Sequence, residues 1–391
     1  MIANGLWLLV FIAAGVVTGV LVTRRARFKQ QGQLSLNEQY FAGLNFVLNE
    51  EPDKALEVFL RMVEVDNETV ETHLALGSLY RRRGEVDRAI RIHENIMARQ
   101  SLKDEHREHA MFALGEDYFR AGLLDRAEYM FQRLTERTGW RTTALRYLLR
   151  IYEQQSDWQQ AIAAFRQLKE LASPEHPTAI AHYLCELATQ ARQRGEHDVA
   201  LDLLRQVREE QRNFARSALL RAELAFDADN AELAGRLCQR VVELHPQLLP
   251  LVLQRFASKA NTSSGALLLQ SVRPLVRADS TVRAMYAYSG LTSGLEHEPF
   301  VLQCLADFVR EDPSLNELVR ALAKDPMELN QAELRALASA LAQILKRGQR
   351  YRCVDCGLGT TAHFWQCPGC RSWDVLAPLM RVELAPVARM R

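Results

Sequence analysis

Four cysteines, Cys353, Cys356, Cys367 and Cys370, are the residues of this 391-residue chain best placed to do chemistry. They stand in CVDCGLGTTAHFWQCPGC, two Cys-x-x-Cys pairs separated by ten residues. Thiolates are soft ligands, and four of them around one point select zinc or a single iron centre. The two-residue spacer lets each pair wrap one ion in a tight turn. There Gly357 can take a positive φ and turn backbone N–H groups toward sulfur. Pro368 and Gly369 make the second turn compact. The four cysteines are therefore the expected ligands of one ion, iron or zinc. Four thiolates leave no open coordination position, which argues against a hydrolytic centre. Iron in this set could shuttle electrons, but the chain has no companion redox motif. A module of about 40 residues buries too little apolar surface to fold alone, so the ion is expected to be its core. Phe364, Trp365 and Trp373 would supply aromatic cover and a face for docking on helices, and His363 is not needed as a ligand.

Other chemistry is thinly represented. There is no GxxxxGK[ST] phosphate loop, no H-E-x-x-H and no G-x-S-x-G elbow. Cys185, Cys238 and Cys304 stand singly in apolar helical patterns and read as core packing. His106 and His109 read as solvated surface, and Arg81-Arg82-Arg83 as cations meeting the negative end of a helix. Lys+Arg and Asp+Glu number 49 and 48, a formal net charge of +1, so no global basic field attracts nucleic acid.

The elements that must position the sulfurs are repeats. LALGSLYRRRGEVDRAIRIHENI (74–96) and FALGEDYFRAGLLDRAEYMFQRL (112–134) align at Gly77/Gly115, Tyr80/Tyr118, Gly84/Gly122 and Ala89/Ala127. This is the tetratricopeptide pattern, two antiparallel helices in about 34 residues. The small residue of the second helix recurs at Ala55, Ala89, Ala127, Ala161, Ala200 and Ala234, at intervals of 34, 38, 34, 39 and 34. Four residues later stand Phe59, His93, Phe131, Phe165, Leu204 and Cys238. Small residues let backbones approach, the larger ones fill the groove, and Gly84, Gly122 and Gly195 close the turns. Six units are expected, with two or three divergent ones after residue 247, where Pro250, NTSSG (261–265) and Pro274 interrupt the register. The fold class is all-α: a tetratricopeptide-repeat superhelix with an N-terminal transmembrane helix and a small C-terminal rubredoxin-like or zinc-ribbon domain.

Ile2 to Thr23 holds no charged side chain and is followed by Arg24, Arg25, Arg27 and Lys29. Twenty-two helical residues reach about 33 Å, enough for a hydrocarbon core of roughly 30 Å. Basic residues after the apolar run place the bulk of the chain in the cytoplasm and the N-terminus outside. A reducing cytoplasm in turn favours metal ligation over disulfides. The expected organisation is an anchor at 1–23, a basic linker at 24–35, the solenoid at 36–335, and a linker helix with the metal domain at 336–391.

In that order, the anchor, the basic stretch, the repeats from FAGLNFVLNEEPDKALEVF (41–59) and the terminal C-x-x-C-G…C-P-x-C resemble the lipopolysaccharide assembly protein B family over the whole chain. The resemblance implies a non-enzymatic, single-pass inner-membrane protein of Gram-negative bacteria. It would promote degradation of the deacetylase that commits precursor to lipid A by the FtsH membrane protease. A membrane-embedded lipopolysaccharide-sensing regulator would restrain it, and nucleic acid would play no part. The other reading is a scaffold assembling lipopolysaccharide biosynthesis and transport enzymes. The family's metal positions fall on Cys353, Cys356, Cys367 and Cys370. Arg371 stands where rubredoxin-type knuckles commonly have glycine, and the ten-residue connection is shorter than in free-standing rubredoxins. Both disfavour electron transfer and leave iron against zinc open. The metal module is expected to pack on the last repeats and cap their apolar end.

Overall fold

Three of the second helices bury the same narrow stripe, at positions i, i+4 and i+7. These are Ala89, His93 and Ile96 in α4 (Val86–Met97), Ala127, Phe131 and Leu134 in α6 (Leu124–Thr135), and Ala200, Leu204 and Val207 in α10 (His197–Glu210). A stripe that narrow, with charged residues elsewhere, is a helix lying on one neighbouring layer. The computed structural model describes residues 36–49, 51–65, 70–100, 102–172, 177–256, 263–321, 325, 328–346 and 348–379. The expected span at 2–23 and the basic stretch after it lie outside the described residues. Among the described residues no helix is long and apolar enough to cross a membrane.

The chain divides into two units, through Ser156 and from Asp157. In the first, α1 (Leu36–Leu48) pairs with α2 (Pro52–Val65), α3 (Val70–Arg82) with α4, and α5 (Asp104–Arg120) with α6. Each hairpin packs on the next, and α7 (Arg141–Gln155) packs on α6. The second unit begins with α8 (Trp158–Leu171) and α9 (Ala179–Gln193). After α10 come α11 (Ala215–Asp227), α12 (Ala231–Leu244), α13 (Leu249–Phe256) and α14 (Ser263–Ala278). Then follow α15 (Ser280–Thr292), α16 (Pro299–Glu311), α17 (Pro313–Ala321) and α18 (Gln331–Lys346). Helices α9 and α10, α11 and α12, and α15 and α16 form hairpins, and α18 packs on α15 and α16. From α13 the order loosens, α13 packing on α15 and α14 on α12. Pro274, expected to break the register, lies inside the continuous α14. An antiparallel sheet, ordered β2–β1–β3, closes the described chain: β1 (Tyr351–Cys353), β2 (Gly359–Thr360) and β3 (Leu376–Pro378).

The repeat slots hold. All six alanines expected at close helix approaches are fully buried, and the residues four positions on are at most 2% exposed. Gly84, Gly122 and Gly195 take φ of +81°, +75° and +78° at helix ends. The next residue in each case donates back across the turn, Glu85 N–H to Tyr80 O, Leu123 N–H to Tyr118 O and Glu196 N–H to Ala191 O, all at 2.9 Å. That is the helix-ending motif in which a left-handed residue lets an orphan carbonyl be satisfied. A Cβ at Gly43 would lie 2.7 Å from the Phe59 ring, and one at Gly115 2.9 Å from Phe131. The rings of second helices therefore lie directly on first-helix backbone.

One slot is polar. His93 is fully buried against Gly77, and its Nδ1–H donates to Asp117 Oδ2 at 2.5 Å. Asp117, also fully buried, accepts from Arg81 Nη1 at 2.7 Å on its other oxygen, while Arg81 Nη2 reaches Glu116 at 2.7 Å. Arg81 thus ties α3 to α5 rather than merely facing a helix end. Gly77→Ala tests the close approach. The methyl would gain about 1 kcal/mol of helix propensity, but it would overlap a ring that Asp117 holds in place. Overpacking of this kind costs about 1–3 kcal/mol. We expect faster amide exchange in α3 and α4, and unchanged protection would refute the tight contact.

Candidate metal centre

The two cysteine pairs build the same turn twice. Gly357 N–H donates to Cys353 O at 3.0 Å, and Arg371 N–H donates to Cys367 O at 2.9 Å. One residue further out, Cys353 N–H donates to Leu358 O and Cys367 N–H to Ser372 O, each at 2.9 Å. Gly357 has φ +75° and Arg371 φ +61°. The position after each pair therefore needs a left-handed backbone, and Arg371 adopts it although a β-carbon makes it costly, roughly 1–2 kcal/mol.

These turns bring all four Sγ atoms within 4.8 Å of one another. Cys353 to Cys370 and Cys356 to Cys367 are both 3.7 Å apart. Four sulfurs about 2.3 Å from a central ion at tetrahedral angles stand about 3.8 Å from each other. A disulfide would require about 2.05 Å. The spacing suits a shared ion and not a bond between sulfurs. Cys353 and Cys367 are buried, whereas Cys356 and Cys370 face solvent. Hydrogen bonds from the Ser372 hydroxyl and amide pull the Cys370 thiol down to about 6, toward the thiolate a metal requires. Cys356 N–H also points at Cys353 Sγ, 3.5 Å away.

The module reaches further upstream than expected. It meets the divergent units after residue 247 through α13 and α15, as expected, but runs back along α11 and α9 instead of only capping the end. His182 of α9 is fully buried and stacks on Trp373, with ring centroids 4.4 Å apart and an interplanar angle of 21°. Its Nε2–H donates to Asp374 Oδ2 at 2.8 Å. Its Nδ1 faces Arg216 Nη1 of α11 at 3.4 Å. Burial lowers the His182 pKa despite the opposing pull of Asp374, so the imidazole is neutral at pH 7. That fixes one tautomer: Nε2 donates to the module and Nδ1 accepts from Arg216. Arg216 also pairs with Glu186 at 2.7 Å and lies 5.6 Å from the Trp365 ring centroid. Trp158 and Tyr183 meet Trp373 edge-on. At the other end Arg350, Tyr351 and Pro378 enclose a small space with Pro250, Gln254, Tyr288 and Thr292.

Of the expected aromatics, Trp365 and Trp373 dock and Phe364 stays 44% exposed. His363 lies between the Tyr351 and Trp365 rings and takes no place in the sulfur cluster. Burial, then the charge of Arg255, push its pKa down to about 4. Cys185 and Cys238 are packed in the core, and burial raises both thiols to about 12. Burial raises Cys304 to about 12 as well, which leaves all three as unreactive thiols. Sequence reading missed His182, Arg216 and Asp374. The one available signal was charge complementarity between successive first helices, with Glu186 and Arg216 30 residues apart.

Residues 351–378 match the family model described as a rubredoxin metal binding domain. Tetratricopeptide-repeat models match residues 68–138, 112–176 and 185–248. The chain is 34% identical over 376 residues to lipopolysaccharide assembly protein B of Escherichia coli K12, covering 91% of this chain and 92% of the relative. The protein of that name from Haemophilus influenzae is 28% identical over 412 aligned residues, covering 97% and 98%. Among solved structures, the C-terminal part of a tetratricopeptide-repeat protein from Cytophaga hutchinsonii aligns at 13% identity with a TM-score of 0.39. It covers 72% of this chain and 99% of that one.

Two tests follow from this geometry. Cys353→Ser with Cys356→Ser is expected to abolish stoichiometric metal and to make residues 351–378 protease-sensitive, because ion and docking are coupled. A metal-free variant as protected as the parent would defeat the coupling. The buried imidazoles give the second. His182 and His363 are neutral when folded but titrate near 6.5 when unfolded. The unfolded chain therefore binds more protons, so their contribution is whole above about 6.5 and declines as pH falls below it, for His363 down to about 4. Melting at pH 7 and pH 5 should show a smaller decline for His363→Gln than for the parent, and equal declines would contradict the assignment.

Proposed function

The chain belongs to the lipopolysaccharide assembly protein B family, and from that premise we propose that it is a non-enzymatic inner-membrane adaptor. In this reading it promotes degradation of the lipid A-committing deacetylase by an FtsH-type protease, and a membrane-embedded lipopolysaccharide-sensing regulator restrains it. Cys353, Cys356, Cys367 and Cys370 hold one structural ion, iron or zinc. That ion lets the module fold and dock, and it supplies no reaction step.

The observation behind this reading is the closed sulfur set pinned to the repeat helices. A catalytic zinc keeps a ligand position for water or substrate. Here the ligand positions are filled by protein, and the module is fixed by Trp373, Asp374 and Trp365 on α9 and α11. Its place along the first helices makes it part of the repeat surface, where helical-hairpin arrays engage other proteins. Residues 2–23, read as a single span with its N-terminus in the periplasm, would confine that surface to the bilayer plane. Confinement raises its effective concentration beside a membrane-bound protease without any new contact.

The name shared by the relatives, an assembly protein, favours a second reading as a scaffold for lipopolysaccharide-synthesis enzymes. The half-life of the deacetylase separates the two. In cells depleted of this protein we expect the half-life to lengthen several-fold, with restoration by the parent gene and not by the Cys353→Ser, Cys356→Ser variant. A half-life unaffected by depletion would remove the adaptor reading and leave the scaffold.

A further inference from the structure

Nearly every buried or half-buried arginine on the helices of the second unit has a carboxylate. Arg192 pairs with Glu223 and Asp227, Arg216 with Glu186, Arg255 with Glu223, and Arg273 with Glu298. One place breaks that habit. A cavity of about 300 Å³ between α10, α11 and α12 is lined by Arg208, Arg212, Arg221 and Arg240, with no carboxylate among its lining residues. Among the described residues Arg208, Arg212 and Arg221 form no ion pair, and Arg240 has only a 3.8 Å contact with Glu243. Arg221 is half-buried, and its pKa is lowered by that burial and by the charge of Arg208. Arg208, Arg212 and Arg240 are exposed and form a basic rim, so it is at the half-buried Arg221 that like charge without a counter-charge is unfavourable unless an anion joins it.

Two further features face the same space. Ser217 is 2% exposed, lines the cavity, and has no hydrogen-bond partner for its hydroxyl. The first turn of α11, from Ala215 to Ala218, lines it too, and the N-cap residue Phe214 offers no side-chain cap to the free amides. Helix-start amides favour an anion with several acceptor oxygens. A second cavity of about 340 Å³ shares Arg221 and Leu237 with the first; Leu201, Leu224, Ala225 and Leu233 give it an apolar side, and His197, Asp227 and Asn230 line the rest.

We propose that this is a binding site for a phosphate monoester of a partly apolar molecule. The four arginines and Ser217 would take the phosphate, and the adjoining cleft would take the apolar portion. Four guanidinium groups exceed what one carboxylate can accept, whereas a phosphate monoester offers two charges and three terminal oxygens. The site contains none of the four cysteines and is independent of the adaptor reading.

Calorimetry on the full chain in zwitterionic nanodiscs tests it, with hexyl phosphate, inorganic phosphate and hexanol as probes. Hexyl phosphate is expected to bind at least tenfold more tightly than inorganic phosphate, and hexanol not measurably. Arg221→Gln and the exposed Arg208→Gln should each weaken hexyl phosphate at least tenfold, and Ser217→Ala several-fold. Arg205→Gln, outside the cavity, should change it less than twofold. Phosphatidic acid added to the nanodiscs would compete if a membrane lipid is the natural source and would not if a soluble ester is. Either result keeps the monoester site. Hexyl phosphate binding that is absent in the parent, unchanged by Arg221→Gln and Arg208→Gln in folded protein, or equally weakened by Arg205→Gln would overturn it.

Discussion

The second unit is organised around a neutral imidazole. His182 reaches Asp374 with one nitrogen and Arg216 with the other, while its face lies on Trp373. A protonated ring would have to place a second N–H against a guanidinium, so charging it removes the acceptor and adds a repulsion at once. Burial settles the protonation state, and the protonation state settles the tautomer. The tautomer then fixes which side of the ring can receive the module. A contact across 192 residues thus rests on the burial of one side chain.

In the proposed reading the metal and this clasp depend on each other. The sheet of the module has strands of two and three residues, and its own buried cluster is Tyr351, Cys353, Cys367 and Leu376. That is far too little apolar surface to hold a fold in water. Ligation would close the two knuckles and so fix the strand ends, and the Gln366–Trp373 bridge positions Trp373 and Asp374. Truncating a buried tryptophan costs about 3–5 kcal/mol, so a module without its ion would lose docking as well as internal order. Arg371 belongs to the same logic. Its strained backbone is tolerated because Ser372, directly after it, supplies the hydrogen bonds that draw Cys370 toward thiolate.

What the sequence shows of this protein follows the range of each interaction. The alanines at intervals near 34 and the groove-filling residues four positions on are local facts repeated, and the fold keeps every one. The sulfur site was equally legible, because each knuckle is a five-residue turn whose geometry is independent of the rest of the chain. Docking was illegible for the opposite reason. Nothing near Asp374 says that its partner is His182, and the reading that the module caps the last repeats followed chain order, whereas packing carries it further back. Pro274 misled in another way, since the surrounding contacts of α14 absorb a residue that local propensity marks as a breaker.

His93 shows how one repeat can depart from its pattern without losing it. Elsewhere the slot holds Phe, Leu or Cys, and the neighbouring Gly or Ala leaves room for apolar bulk. A histidine there is affordable only because Asp117 accepts from its Nδ1, and Asp117 is tolerable in the core only because Arg81 faces its second oxygen. Removing either partner would leave a buried charge or donor exposed to nothing, a loss of about 3–5 kcal/mol for such pairs. The triad thereby ties α3, α4 and α5 through directional bonds, where other repeats rely on shape alone. Directional bonds fix the relative rotation of helices more strictly than apolar packing, which tolerates sliding. The polar slot is therefore best understood as a register pin: it holds two successive hairpins in one orientation and leaves the repeat spacing on either side unchanged.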